Sequence, residues 1–189
     1  MGEFRLATTR LILREWRERD ARQLQRLCSD PRVMEFLGPP QTMEEIQDVI
    51  MRQSVHQNEK GYCFWAIELR STRQMLGFCG IQLGPQATPI AGLPEIGWRL
   101  AYDHWGRSYA REAAEAALGW YWANIANEAV WSITVPGNLR SWGLMERLRM
   151  IRQHDLDFDH PRVADGSPLK RHITYKIEAP TALSNYPDF

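Results

Sequence analysis

The segment that most restricts how this chain folds is an alanine-rich stretch, residues 110–126, set between two short apolar runs at 95–100 and 131–135. Alanine is the best helix former, and Ala113, Ala117 and Trp120 recur at helical spacing, so the stretch predicts a helix with one apolar stripe. The flanking runs are too short for buried helices and suit strands. A strand–helix–strand unit of this kind needs a sheet for its helix to pack on.

The remaining sequence extends that unit. Residues 9–14 alternate apolar and polar, as a half-buried strand does. Asp20 is expected to cap a short helix running to Leu27, which Asp30-Pro31 ends. Thr42 with Glu45 reads as a capping box opening a helix to about His56, with Ile46, Val49 and Ile50 on one face. After Lys60-Gly61 come strand-like runs at 63–69 and 75–83, joined by a short turn at 71–74. Residues 84–94 are rich in glycine and proline and form a loop. A helix from Ser141 to about Arg149 and strands at 150–155 and 173–177 complete the order. The predicted fold class is α/β, a mixed sheet with helices on both faces. No linker divides the 189 residues, so one domain is expected over 1–189, with a core at about 8–178 and a tail at 179–189.

Charge and cysteine content narrow the function. Lys and Arg total 23 against 23 Asp and Glu, a formal net charge of zero. That balance disfavours nucleic acid and membrane surfaces as partners, since both select a surplus of cations. No apolar run is long enough to span a bilayer, and the opening Met1-Gly2-Glu3-Phe4-Arg5 has no signal-peptide core. The three cysteines, Cys28, Cys63 and Cys79, are too scattered for a disulfide framework or zinc site, so core packing and a cytoplasmic, reducing location are expected. Asp155, Asp157, Asp159 and His160 lack the spacing of a hard-metal loop, and no metal is expected.

Two segments carry candidate chemistry. After the strand at 95–100, a loop with small residues at Gly106, Ser108 and Ala110 enters the long helix. Small side chains let backbone N–H groups reach a ligand, and a helix N-terminus favours an anion such as pyrophosphate, with Arg107 and Arg111 adding charge. The same residues would also serve as a tight turn and cap. Without a Gly-Lys-Ser/Thr sequence there, a P-loop is disfavoured. In the second segment, Asn138 follows a strand end and Ser141 starts a helix. The amide suits an extended ligand and the hydroxyl a leaving group, while a plain N-cap is the alternative.

Taken together, the motifs resemble the GNAT superfamily of N-acetyltransferases, in its RimJ/RimL-like branch. They are Thr8-Thr9-Arg10-Leu11-Ile12-Leu13-Arg14, Phe64-Trp65-Ala66-Ile67-Glu68 and Gly77-Phe78-Cys79-Gly80. Further along come Glu95-Ile96-Gly97-Trp98-Arg99-Leu100, then Trp105-Gly106-Arg107-Ser108-Tyr109-Ala110-Arg111-Glu112-Ala113, and Asn138-x-x-Ser141. The resemblance implies a mostly antiparallel, splayed sheet of about seven strands. It also implies acetyl-CoA as co-substrate and direct transfer to a primary amine, on a small molecule or a protein N-terminus. In that reading the amides of Trp105, Gly106, Arg107, Ser108, Tyr109 and Ala110 cradle the pyrophosphate. Gly97, Trp98, Arg99 and Leu100 pair with the pantetheine arm, Asn138 touches the cofactor, and Ser141 protonates the departing thiolate. A different acyl-CoA, or a CoA-binding sensor without turnover, is the alternative; a monomer or a homodimer would be ordinary.

The sequence departs from the family at Ser108 and Arg149, where glycine is usual. Ser108 is expected to fit with a negative φ, and Arg149 to reshape its helix end. An amine must lose its proton before it attacks, so a base is needed. The candidates are Glu95, the His/Asp groups of the 154–160 segment, and His172. A backbone N–H near Trp98 or Arg99 would hold the oxyanion. Trp98 and Trp105 are expected to flank the cleft, and Trp120, Trp122 and Trp131 to sit in the core. The helix at 42–56 and the loop at 84–94 are expected to form the acceptor side.

Overall fold

The structure, a computed structural model, describes residues 3–180, so most of the expected tail at 179–189 lies outside the described residues. Nine strands and five α-helices form in the order β1 (Arg5–Ala7), β2 (Leu11–Arg14), α1 (Ala21–Ser29), α2 (Pro31–Met34), α3 (Met43–Lys60), β3 (Phe64–Leu69), β4 (Met75–Leu83), β5 (Pro94–Leu100), α4 (Tyr109–Asn124), β6 (Val130–Thr134), α5 (Leu139–Arg147), β7 (Ile151–Arg152), β8 (Phe158–Asp159) and β9 (Arg171–Ile177). The strands lie in the order β1-β2-β3-β4-β5-β6-β9-β7, with β8 on β9. The count exceeds the expected seven because β1 and β8 are too short to show alternation. The run at 150–155 shrinks to β7 followed by a 3-10 turn at His154–Leu156.

Every pairing is antiparallel except β5 with β6, which is parallel and holds one registered pair, Glu95 opposite Trp131. Beyond that pair the two strands part. On its other side β6 is held along its whole length by β9, and β5 by β4, so the sheet opens as a V between two well-paired halves.

Each face is covered by what its sequence allows. Helix α4 buries Ala113, Ala114, Ala117, Leu118 and Tyr121 against β4 and β5. Trp120 lies at the flank of that stripe, half-buried, edge-on to Trp65 and Phe4. Trp122 and Trp131 are also half-buried, contrary to expectation, while Trp65 fills the core. Indoles at these sheet and helix margins keep their N–H in reach of a carbonyl, as Trp122 does with Glu128 at 2.9 Å.

The opposite face carries α1 and α3. The Thr42 capping box forms as expected, with Glu45 N–H on Oγ1 at 3.2 Å and Thr42 N–H on Glu45 Oε2 at 2.7 Å. The helix then runs past His56 to Gly61, whose φ of +83° ends it. Asp20 does not cap α1 with its side chain. Its carboxylate instead accepts from Arg17 N–H at 2.8 Å and grips the buried Arg14 guanidinium at 2.7 and 2.9 Å, while Arg14 Nε reaches Glu68 at 2.9 Å. A buried cation without carboxylates would cost several kcal/mol, about 3–5, so this tertiary demand outweighs a local cap. Asp30 both ends α1 and caps α2, where Pro31 takes the first helical position. All three cysteines are buried free thiols, and burial pushes each one up. No helix among the described residues is long and apolar enough to cross a membrane.

Candidate active site

The open side of the V begins where the β5–β6 ladder stops. Ser132, buried on β6, donates its hydroxyl to Ile96 O at 2.9 Å, a side-chain bridge at the apex where main-chain pairing ends. Sequence reasoning passed over Ser132, because one serine in an apolar strand carries no pattern.

Beyond the apex, β5 divides its backbone between two edges. Ala101 N–H donates to Leu76 O at 2.9 Å, and antiparallel bonding alternates residue by residue. Arg99 and Gly97 therefore pair their main chain with β4, while Trp98 and Leu100 turn theirs toward the open edge. Of the two N–H groups considered for an oxyanion, that of Trp98 has no strand partner among the described residues and that of Arg99 faces β4.

After β5, a 3-10 turn at Tyr102–His104 leads through Trp105 into the small-residue loop. Trp105 anchors it by donating Nε1–H to Leu100 O at 2.8 Å, beneath the Arg140 guanidinium at 5.0 Å. Gly106 has φ +72°, and a Cβ built on it meets nothing within 4 Å. Ser108 has φ +61°, so the expected negative φ is wrong: serine here adopts the left-handed conformation that glycine would take, because the loop must turn its amides inward just before α4. Among the described residues, the backbone N–H groups from Gly106 to Arg111 find no protein acceptor, and the first bond of the helix is Glu112 N–H to Ser108 O at 3.0 Å. Consecutive unpaired donors at a helix N-terminus form an anion cradle.

That loop is held from behind by residues that the sequence analysis quoted within longer motifs but gave no role. Glu112 accepts from the Thr8 hydroxyl at 2.6 Å, from Arg10 N–H at 2.8 Å and from Arg10 Nε at 2.6 Å. Arg10 also donates to Arg107 O at 3.0 Å and lies 4.6 Å over the Tyr109 ring. With the Arg107 carbonyl fixed toward β2, the loop's amides are left facing the other way. Arg111 is bound to Glu115 at 2.8 Å, leaving Arg107 as the exposed cation of the loop.

Glu95 shares one face of β5 with Gly97 and Arg99, the face toward α1–α3. Its carboxyl is buried beside Gln82, which faces it across the ladder. Burial raises it to about 7, and a hydrogen bond with Gln82 pulls the other way. Gln82 in turn accepts from Gln53 of α3 at 3.1 Å, and Gln53 accepts from Phe64 N–H at 2.8 Å. Most of the other candidate bases have close neighbours of their own. Asp157 pairs with Arg152 and Asp159 with Arg171, and the His160 and His172 rings lie 4.8 Å apart, all on the β7–β9 side with β6 between them and β5. Among the described residues, no group of three or more His, Cys, Asp or Glu is placed to hold a metal ion.

Asn138 is the N-cap of α5, its side-chain Oδ1 accepting Ser141 N–H at 3.3 Å, so Ser141 is the third residue of the helix rather than its start. Ser141 is half-buried and its hydroxyl makes no bond among the described residues. At the far end Arg149 is not reshaped. It takes φ +64°, with Arg149 N–H on Glu146 O at 2.8 Å and Met150 N–H on Met145 O at 2.9 Å, the left-handed ending that glycine usually supplies.

Comparison with known proteins agrees with this geometry. Residues 10–151 match the acetyltransferase (GNAT) domain family. The protein YkkB of Bacillus subtilis (strain 168) is 32% identical over 149 residues, covering 77% of this chain and 84% of YkkB. The crystal structure of an acetyltransferase from Agrobacterium tumefaciens strain C58 superposes with a TM-score of 0.74 at 26% identity, over 94% of this chain and 96% of that one. The fold is also that of RimL, a ribosomal L7/L12 alpha-N-protein acetyltransferase in complex with coenzyme A (TM-score 0.73, 16% identity, 93% and 98% covered).

Proposed function

The chain belongs to the GNAT acetyltransferase family, and from that premise we propose that it transfers the acetyl group of acetyl-CoA to a primary amine by direct attack, as a single domain of the RimJ/RimL-like branch. The observation that carries this reading is the run of unpaired amides from Gly106 to Arg111 at the open end of the V. Such a cradle fits a pyrophosphate, and the open edge of β5 at Trp98 fits an extended amide-bearing arm. RimL, which shares the fold, is in complex with coenzyme A.

Bound acetyl-CoA supplies an activated thioester. The Trp98 N–H, turned toward the cleft, stabilises the negative charge that develops on the carbonyl oxygen. Glu95 accepts the proton of the incoming amine, directly or through water, and its carboxyl near 7 suits that exchange at neutral pH. The Ser141 hydroxyl donates to the leaving sulfur, while Asn138 orients the start of α5 and offers its amide nitrogen to the arm. The buried, unpaired thiols of Cys28, Cys63 and Cys79 support a reducing, cytoplasmic setting.

Calorimetry with acetyl-CoA, followed by thiol release with an amine panel, tests the reading. Ala110→Glu places a carboxylate in the cradle and is expected to abolish binding; unchanged affinity would remove the phosphate site from this loop.

A further inference from the structure

Eight of the twenty arginines meet a carboxylate among the described residues, and they include every buried or half-buried one except Arg99. Arg10 pairs with Glu112, Arg14 with Asp20 and Glu68, Arg17 with Glu3, Arg32 with Asp30, Arg111 with Glu115 and Arg152 with Asp157. Arg99 does not. It is half-buried on the α1–α3 face of β5, and its Nη1 touches the Cys28 sulfur at 3.0 Å, Gln41 Oε1 at 3.1 Å and the Met34 sulfur at 3.8 Å. The guanidinium lies 5.4 Å over the Phe78 ring. None of these neighbours is an anion: burial pushes the Cys28 thiol up, against the downward pull of Arg99 itself. Nε is buried with no partner, and Nη2 makes no bond among the described residues.

We infer that Arg99 anchors a carboxylate of the acceptor, so that the preferred substrate is a small amine carrying an acid group. A cation drawn out of water without a counter-charge is unfavourable, and its unpartnered Nη2 can donate to an oxygen of a carboxylate that supplies one. The position agrees. Arg99 shares its strand face with Glu95 and Gly97, and the rings of Phe64 and Phe78, stacked 5.7 Å apart, lie along that face. The Gly97 end is fixed by Phe64, whose ring a Cβ would strike at 2.8 Å. Two strand residues span only about 7 Å, so an acid group at Arg99 with an amine near Gly97 describes a short molecule of amino-acid dimensions.

This inference rests on the acetyltransferase reading above, and its test separates the two. Acetyl-CoA binding is measured by calorimetry on wild type, Arg99→Met and Arg99→Lys without any amine. Acetyl transfer is then measured on matched pairs, each an α-amino acid and its carboxamide. Amidation itself changes the basicity of the amine, so the readout is the acid-to-amide ratio of kcat/KM compared between proteins, in which intrinsic reactivity cancels. Wild type is expected to favour the acid, and Arg99→Met to lower that ratio about 10–100-fold, the scale of a lost charge-assisted hydrogen bond. Arg99→Lys is expected to fall between. An Arg99→Met protein that loses both members of each pair equally makes Arg99 a tether between β5 and the α1–α2 region, and overturns the anchor. So does a wild type that acetylates other amines but no acid, or that selects O-phosphoethanolamine over ethanolamine while ignoring carboxylates. Failure of wild type to bind acetyl-CoA overturns the parent reading, and the anchor with it.

Discussion

Glu95 ties activity and stability to the same proton. Its carboxyl, about 7 in the folded protein against an ordinary 4.5, binds a proton more tightly folded than unfolded. The stability this gives is complete below about 4.5 and is lost as pH rises through about 7. Glu95→Gln removes the charge without changing shape, so at pH 8 it should melt higher than wild type, by about 3 kcal/mol at most, and match it at pH 4. Thermal melts across that range decide the matter, and a variant less stable at pH 8 would contradict the burial argument. The same substitution should cut turnover about 10²–10⁴-fold and erase the rising limb of the pH–rate profile near 7. Retention of that limb would move the base elsewhere, to the His160–His172 pair first. The sequence named Glu95 but left its direction open, because a strand residue's face depends on register. The pairing of Gln82 with Glu95 settles the face, and no local pattern around residue 95 contains that pairing.

At the scale of helices and loops, the legible features were those whose partners are near in sequence. The Thr42–Glu45 box, the Asn138 cap and the alanine stripe of α4 all form as their spacing demands. Asp20 was misread because Arg14, six residues away and on a different element, competes for its carboxylate. Ser108 and Arg149 were misread for a related reason. Both hold a left-handed conformation that their own side chains disfavour, imposed by a loop that must present amides and by a helix that must end before β7. Each conformation costs a non-glycine residue about 1 kcal/mol. Arg149→Gly should therefore raise stability by about that amount in urea unfolding, since its side chain is exposed. Ser108→Gly should do likewise and tighten acetyl-CoA binding or leave it unchanged. A loss of stability in either variant would show that the side chain contributes something beyond backbone strain.

For the molecule as a whole, residue patterns made the sheet legible, while its opening was expected only from the family resemblance. Composition, strand runs and the β–α–β unit fix a two-faced sheet, but nothing in residues 95–100 or 131–135 says that their pairing stops after one residue pair. That limit arises from the flanking strands: β4 and β9 each hold their neighbour in full register, and the twist between the halves leaves β5 and β6 to diverge. Among the described residues, the Glu95–Trp131 pair and the Ser132 hydroxyl tie β5 to β6 across the apex. A ligand seated in the V and bonded to both edges would therefore add cross-links the empty protein lacks, and would stabilise it as any ligand specific to the folded state does. At 100 times its dissociation constant acetyl-CoA should contribute about 2.7 kcal/mol, seen as a concentration-dependent rise in Tm. Ala110→Glu should leave the unliganded Tm near wild type, because an acidic residue in the first turn of α4 suits the helix dipole, yet abolish the rise. Ser132→Ala should behave in the opposite way, lowering the unliganded Tm while the ligand restores part of the loss by taking over the bridge. A Tm rise that survives Ala110→Glu in full would mean that the ligand is held away from the α4 cradle, and the link between the open sheet and acetyl transfer would break there.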